Sequence, residues 1–312
     1  MFRKFFDVVT FGSGAVDIFI HGSIPEMNKN LVFPIGSKNI IHEIQYHVGG
    51  GGTNSAVAFS RFGYKTGLIG KIGNDFFGSK IMKCIRTERI KFLGEQNGDE
   101  SGVSIIITAH SHDRVILTHK GCNDDISLSD VSYKKVRTKW LYCSSVMGKS
   151  FSTQKKIASF LKKNGAKIAF NPSEYLIKTE NLSELLKISD VIILNREEID
   201  LLIKKQRHYE NNSYLGLSHL GPKIIVITDG KNKITCYDYT NHKRYTLMPH
   251  QKKVIEATGA GDGFGSGFIA GLLAGKSVFN SLKLGLEESE SVLGALGAHN
   301  NLLKFNLKKH GH

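Results

Sequence analysis

The 312-residue sequence has no uninterrupted apolar run approaching the ~20 residues a membrane helix needs, so a membrane partner is not expected. Cysteine is sparse. Cys84, Cys122, Cys143 and Cys236 lie far apart and form no C-x-x-C pair. This argues against a disulfide framework and a cysteine zinc site; reduced thiols and a cytoplasmic location are the simpler expectation. A nucleophilic Cys143 is disfavoured, because buried inert cysteine is the commoner case. A signal peptide is also not expected. Arg3 and Lys4 precede apolar residues, but Asp7 and Asp17 interrupt them and no small-residue cleavage site follows, so the start reads as a first strand. Acidic residues are in deficit, with 28 Asp+Glu against 42 Lys+Arg and a net charge of +14. That balance favours anionic ligands and admits nonspecific nucleic-acid contact. The basic residues come as scattered pairs such as Lys134-Lys135 and Lys162-Lys163, with no aromatic-interleaved stripe. No specific nucleic-acid partner is therefore expected.

What is present suits one large or two unequal globular domains. Val8-Val-Thr-Phe-Gly12 reads as a β-strand ending in Gly12-Ser-Gly14, and Asp17 is placed just beyond that strand. The Gly-x-Gly lacks the third glycine of a dinucleotide site. Ile18 to Val48 has no helical period; Ile40, Ile41, Ile44 and Tyr46 supply at most a short strand. Gly49-Gly-Gly-Gly52-Thr53-Asn54 then leads into a helical pattern over Ser55 to Phe62. The glycines allow close approach to a ligand, with Asn54 bonding to it; the alternative is a flexible turn capped by Thr53. Lys65 to Ile72 reads as one core strand and Phe77 to Ile90 as a helix. Ser101 to Thr108 and Arg114 to His119 read as strands around a turn carrying His110 and His112, where a metal site is disfavoured for want of a carboxylate or cysteine ligand set.

From Trp140 onward strands and helices alternate, and the strands are nearly continuous apolar runs such as Val191-Ile-Ile-Leu194. This predicts an α/β fold with a parallel sheet covered by helices on both faces. Ligands in such folds bind outside the carboxyl ends of the strands. Asp17, Asn171, Asn195, Thr228 and residues 256–262 are all expected there.

Glu256-Ala-Thr-Gly-Ala-Gly-Asp-Gly-Phe264 places Gly259 and Gly261 before Asp262, and an apolar helical pattern follows from Gly263. A glycine-rich turn opening a helix is an anion site, since unpaired backbone N–H groups and the positive helix end converge there. An acid beside it suits proton removal from a hydroxyl attacking a phosphate. Asp262 thus reads as the general base of a small-molecule kinase, or as a helix cap. Ala270-Gly-Leu-Leu-Ala-Gly-Lys276-Ser277 nearly satisfies the phosphate-loop pattern. It falls at a helix end with Gly275 as C-cap, where carbonyl groups would repel phosphate.

Several segments together resemble the ribokinase-like (pfkB) carbohydrate kinase family. Gly49-Gly-Gly-Gly-Thr-Asn-Ser-Ala-Val-Ala58 with Arg61-Phe-Gly63 is similar to its first signature, and Ile72 to Gly78 to its continuation. Gly121-Cys-Asn123, Asn171-Pro172, Asn195-Arg-Glu-Glu198 and Thr228-Asp-Gly230 follow in the family's order, and Thr258-Gly-Ala-Gly-Asp262 resembles the second signature. The resemblance implies a ribokinase-like three-layer sandwich with a central, mostly parallel sheet and a small β-sheet lid. Residues 1–17, 49–98 and 121–312 would form the large domain, and 18–48 and 99–120 the lid. By resemblance, Asp17 binds substrate hydroxyls, Gly49 and Gly50 form the hinge and Asn54 holds the substrate. Asp262 takes the proton, with Gly259, Ala260 and Gly261 completing the anion hole. Asn195, Thr228, Gly230 and Thr258 lie along the nucleotide, and Glu198 with Asn195 positions Mg2+ through water.

ATP and Mg2+ are the implied cofactors. The family's second signature usually begins with Asp, whereas Glu256 and Ala257 stand here, which weakens the case for a K+ site. Glu287, Glu288 and Glu290 fall where the family has small residues; they are either solvated helix residues or alter the nucleotide fit. The acceptor reads as a sugar or related polyol, with a nucleoside or a sugar phosphate as alternatives. Phe19, Phe33 and Tyr46 could line a base slot, and Lys29, Lys38 and Arg114 could meet a phosphate. A non-catalytic ligand-binding regulator is the reading from another class, and pairing of lids would give a homodimer.

Overall fold

A computed structural model describes residues 4–22, 24–28, 30–97, 99–108, 114–205, 219–252 and 254–307. The large sheet starts from β1 (Lys4–Phe11), paired in parallel with β6 (Thr66–Ile69) on one side and β12 (Val136–Ser144) on the other. Beyond β6 comes the short β8 (Lys91–Phe92). Beyond β12, parallel pairing continues through β13 (Lys167–Asn171), β14 (Val191–Asn195) and β15 (Ile224–Thr228). Two antiparallel strands, β16 (Ile234–Asp238) and β17 (Lys243–Leu247), close that edge. The chain leaves β1 for β6 and returns to β12 on its other side. This reversal opens a crevice at the carboxyl ends of β1 and β12.

The apolar strands bury both faces. Leu141, Cys143, Phe170, Ile192 and Leu194 pack with α3 (Gly148–Lys163), α4 (Glu174–Thr179), α5 (Ser183–Ile188) and α6 (Arg196–Lys205). Trp140, Tyr142, Ala169, Val191 and Ile193 pack on the other side with Phe59 of α1 (Gly51–Arg61), α7 (Ala260–Leu273) and α8 (Val278–Val292). A third cluster joins α1 to Ile81 and Ile85 of α2 (Phe76–Thr87). The expected three-layer sandwich with a mostly parallel sheet is what forms, because successive side chains of a continuous apolar strand point to opposite faces and so bury both.

A separate four-stranded sheet stands over the crevice. It runs in the order β11 (Arg114–His119), β10 (Gly102–Thr108), β2 (Ala15–Gly22), β5 (Ile41–Gly49). Small pairs flank it: β3 (Glu26–Met27) with β4 (Asn30–Leu31), and β7 (Lys71–Gly73) with β9 (Glu95–Asn97). Its registers set two faces. Tyr46–Ile18–Ile105–Leu117 and Ile44–Ile20–Ile107–Val115 form apolar rows across one face. His47–Asp17–Ser104–Thr118 and Gln45–Phe19–Ile106–Ile116 form rows on the other, which faces the large sheet's crevice.

Four sequence expectations change here. Asp17 does not end the first strand: the chain breaks at Gly12-Ser-Gly14 and restarts as β2, with Asp17 inside it. The single strand expected over Lys65 to Ile72 splits at Gly70 into β6 and β7, which join different sheets. The first-signature helix starts at Gly51, not Ser55. Its cap is Gly50, at φ 90°, rather than Thr53. Of the two readings left open for the three acids, the solvated one holds only for Glu287, which is exposed; Glu288 and Glu290 are buried. The His110 and His112 turn and Lys29 lie outside the described residues.

Candidate active site

The crevice is built from backbone that fits only without side chains. A Cβ on Gly52 would lie 2.4 Å from the Gly12 carbonyl carbon, so α1 starts directly against the end of β1. A Cβ on Gly51 would lie 3.3 Å from Asp262 Oδ1, and one on Gly49 would lie 2.1 Å from Asp17 Oδ2. The glycine run therefore sits between the two carboxylates the sequence singled out.

The second signature closes the site from the opposite side. Gly259 is the N-cap of α7 at φ 84°, a left-handed conformation that favours glycine. Asp262 follows as the third helical residue, which rules out the helix-cap reading. The first intrahelical bond is Gly263 N–H to the Gly259 carbonyl at 2.9 Å. The amides of Gly261 and Asp262 precede it, and the Cβ position of Gly261 is open. The Ala260 amide already donates to the Ala257 carbonyl at 3.2 Å, so it serves the turn.

Asn54 links the two signatures. Its Nδ2 donates to Asp262 Oδ2 at 2.8 Å. Burial holds the Asp262 carboxyl above the ordinary carboxylate range, and the Asn54 donor pulls it back down. Asp17 is raised to about 6, chiefly by burial and further by the charges of Asp262 and Glu256, while the Ser104 hydroxyl opposes the shift. Three carboxylates thus converge at the crevice, Asp17 from the lid and Asp262 and Glu256 from the large domain.

Glu256 is buried, and one of its oxygens holds the turn. Its Oε1 accepts from the amides of Ala257 and Thr258 at 2.8 and 2.9 Å and from the Thr258 hydroxyl at 2.8 Å. Arg114, on the inner face of the lid, pairs with it at 3.2 Å. Thr258 is therefore committed to Glu256. Sequence reasoning missed this lid-to-loop ion pair, since nothing in the spacing joins residue 114 to residue 256.

The remaining residues line the carboxyl edge of the large sheet. Asn195 and Thr228 are register partners on β14 and β15. Asn195 and Glu198 form a reciprocal capping box at the start of α6: each side chain accepts the other's backbone N–H at 2.8 Å. Burial raises Glu198 to about 7. Thr228 Oγ1 donates to the Leu194 carbonyl at 3.4 Å, and Gly230 is open with φ 52°. Asn171 donates to the Ile193 carbonyl at 3.2 Å. The three aromatics proposed for a base slot do not assemble: Phe19 is fully buried against His47, and Tyr46 projects from the lid's opposite face. Cys143 is fully buried and its thiol pushed up by burial, as expected of an inert cysteine. Among the described residues there is no group of three or more metal-ligating side chains, and no helix is long and apolar enough to cross a membrane.

This fold and site define a phosphotransferase acting on a hydroxyl group. The chain belongs to the pfkB family of carbohydrate kinases, whose profile matches residues 26–304. It is 28% identical over 300 residues to the 5-dehydro-2-deoxygluconokinase of Clostridium beijerinckii, covering 89% of this chain and 84% of the relative. The adenosine kinase of Sinorhizobium meliloti superposes with a TM-score of 0.79 at 20% identity, covering 98% of each chain. An E. coli protein with a ribokinase designation, solved with ATP and Mg2+, gives 0.79 at 18% identity and 97% coverage of both chains. These two structures share the fold.

Proposed function

We propose that this protein is an ATP-dependent sugar kinase in which Asp262 is the general base. The observation that carries the reading is the Asn54–Asp262 hydrogen bond, which fixes a carboxylate beside the open amides of the α7 terminus. The acceptor hydroxyl gives its proton to Asp262 as its oxygen bonds to the γ-phosphorus; the bond from phosphorus to the β,γ-bridging oxygen breaks and ADP departs. The amides of Gly261 and Asp262 stabilise the charge on the transferring group. Asp17, on the lid, holds the acceptor's hydroxyls together with Asn54, over the hinge at Gly49 and Gly50. Thr228 and Gly230 lie along ATP, and Thr258 shapes the loop through Glu256. Residues 18–48 and 99–120 act as the lid on the large domain. Its closure excludes the water that would compete for the phosphoryl group.

Asn195 and Glu198 fit a water-mediated Mg2+. A carboxylate raised to about 7 by burial gains from a nearby cation, and Mg2+ on a nucleotide needs only one or two such groups. Bound there, the ion would neutralise phosphate charge. Glu256 bonded to Arg114 already has a cationic partner, which argues against a K+ requirement.

The absence of an assembled aromatic slot among the described residues favours a sugar over a nucleoside. The name of the Clostridium beijerinckii relative, together with Arg114 on the inner lid face, favours a sugar acid within that class. The two apolar rows on the outer lid face support a homodimer formed through the lids; Leu117 is 54% and Tyr46 50% exposed there. An ADP-release assay with Mg·ATP tests the reading across keto sugar acids, pentoses, hexoses, sugar phosphates and nucleosides. Acceptor-dependent turnover, strongest for a sugar acid, is expected. Ligand-induced stabilisation without turnover for any acceptor would instead mark a regulator.

A further inference from the structure

We propose that His299 is a positioning residue for the base: its Nε2–H turns the Asn54 amide so that nitrogen, not oxygen, faces Asp262. The inference rests on Asp262 being the base. His299 lies in the turn after α8, outside every motif of the sequence. Its Nε2 is 2.8 Å from Asn54 Oδ1, and Asn54 Nδ2 is 2.8 Å from Asp262 Oδ2. Asn54 and His299 are 5% and 8% exposed, so solvent does not substitute for either bond. An amide has one accepting end and one donating end. Reversed, it would set its oxygen against the carboxylate and its NH2 against the imidazole N–H. The imidazole proton on Nε2 therefore selects the orientation that supports an ionised Asp262.

The rest of the environment holds that tautomer. His299 Nδ1 is 3.8 Å from Cys84 Sγ, a thiol that can donate to it. The His299 carbonyl accepts from Arg61 Nη1, and Arg61 is itself paired with Glu88 at 2.6 Å. Ala298 packs on Gly259, where a Cβ would approach the Ala298 Cβ to 2.3 Å, so the same turn abuts the helix entry. The charged or titratable groups facing His299 are Arg61 from α1, Glu88 and Cys84 from α2 and its edge, and His47 from the lid. Those facing Asp262 are Asp17 from the lid and Tyr142 from β12, with Glu256 beside Asp17. Burial, aided by Arg61, pushes His299 down to about 4, so it stays neutral with a single N–H at neutral pH.

Nitrogen-15 NMR of the histidines in the wild-type protein reads the tautomer directly, without turnover. A neutral Nε2–H form of His299 between pH 6 and 8 is expected; an Nδ1–H form would overturn the proposal. His299→Leu should lower kcat about 10²-fold while leaving the KM for ATP in place, a loss typical of a misplaced reacting group. The acid limb of its kcat/KM profile should move to higher pH, because Asp262 loses its fixed donor. His299→Gln, whose amide can donate to Asn54, should restore most of the rate. On an Asn54→Ala background, His299→Leu should add little. A folded His299→Leu protein with normal kcat and an unmoved acid limb would overturn the role, as would an additive loss on the Asn54→Ala background. If the wild-type protein phosphorylates no acceptor, the kinase reading fails, and the NMR result still decides the tautomer.

Discussion

Substituting the two glycines of the α7 turn should separate stability from catalysis. Gly259 sits at φ 84°, and an alanine there meets two costs. The left-handed backbone costs a residue with a Cβ about 1–2 kcal/mol. The new methyl would also stand 2.3 Å from the Ala298 Cβ, so one turn must move, an overpacking cost of about 1–3 kcal/mol. Gly259→Ala should therefore lose about 2–5 kcal/mol of stability. For a chain of this size that lowers Tm by roughly 3–8 °C. The turn that moves carries the amides proposed as the anion hole on one side and His299 on the other, so kcat should also fall, by about 10²-fold or more. Gly261 is the control. Its φ is not positive and nothing lies within 4 Å of its Cβ position. Gly261→Ala should hold or raise Tm, since alanine favours a helix by about 1 kcal/mol over glycine. It should still slow turnover, because the methyl would occupy open space beside the Gly261 amide, which is proposed to meet the transferring phosphoryl group. Differential scanning fluorimetry and an ADP-coupled assay read both variants. Equal Tm values for the two, or a Gly259→Ala enzyme with normal kcat, would refute the reasoning.

Other perturbations probe separate features. Glu288 is fully buried, and burial raises it to about 7 from an ordinary 4.5. Between those values the folded state holds a proton that the unfolded state releases. Stability therefore falls as pH rises from about 4.5 to 7 and is flat above. Glu288→Gln should remove this slope, raising stability at pH 8 by up to about 3 kcal/mol and changing little at pH 4.5; chemical denaturation at the two pH values checks it. Arg114→Ala should raise the KM for an anionic acceptor by about 10–100-fold and spare a neutral sugar; equal effects on both would remove Arg114 as an acceptor contact. Leu117→Lys, in the outer apolar rows, should convert a lid-paired dimer to monomer in light scattering, and a monomeric wild-type protein would end the dimer proposal.

The layered fold was legible because its signals are local. Runs such as Val191-Ile-Ile-Leu194 alternate with helical patterns, and each run buries both faces. What was lost depended on distant partners. Lys65 to Ile72 is continuous in composition, and only the two sheets on either side of Gly70 divide it. The strands β16 and β17 were missed; β17 is a largely exposed edge strand and carries no apolar run. Asn195 and Glu198 were found by their spacing, which is also that of a capping box. Glu288 and Glu290 could not be told from surface acids by sequence, because what engages them is the backbone of Leu303 and His250, 15 and 40 residues away. His299 offered no signal at all. A single histidine in a loop acquires meaning only when the fold brings it to Asn54, 245 positions earlier.

The central claim is that Asp262 removes the acceptor's proton. Replacing it with asparagine keeps the side chain's shape and its bond from Asn54 while removing the basic oxygen. With Mg·ATP and the best acceptor of the panel, Asp262→Asn should turn over about 10²–10⁴-fold more slowly. ATP binding measured by calorimetry should be unchanged, since the nucleotide contacts proposed above lie along β14 and β15. Turnover near the wild-type rate in that variant would contradict the account.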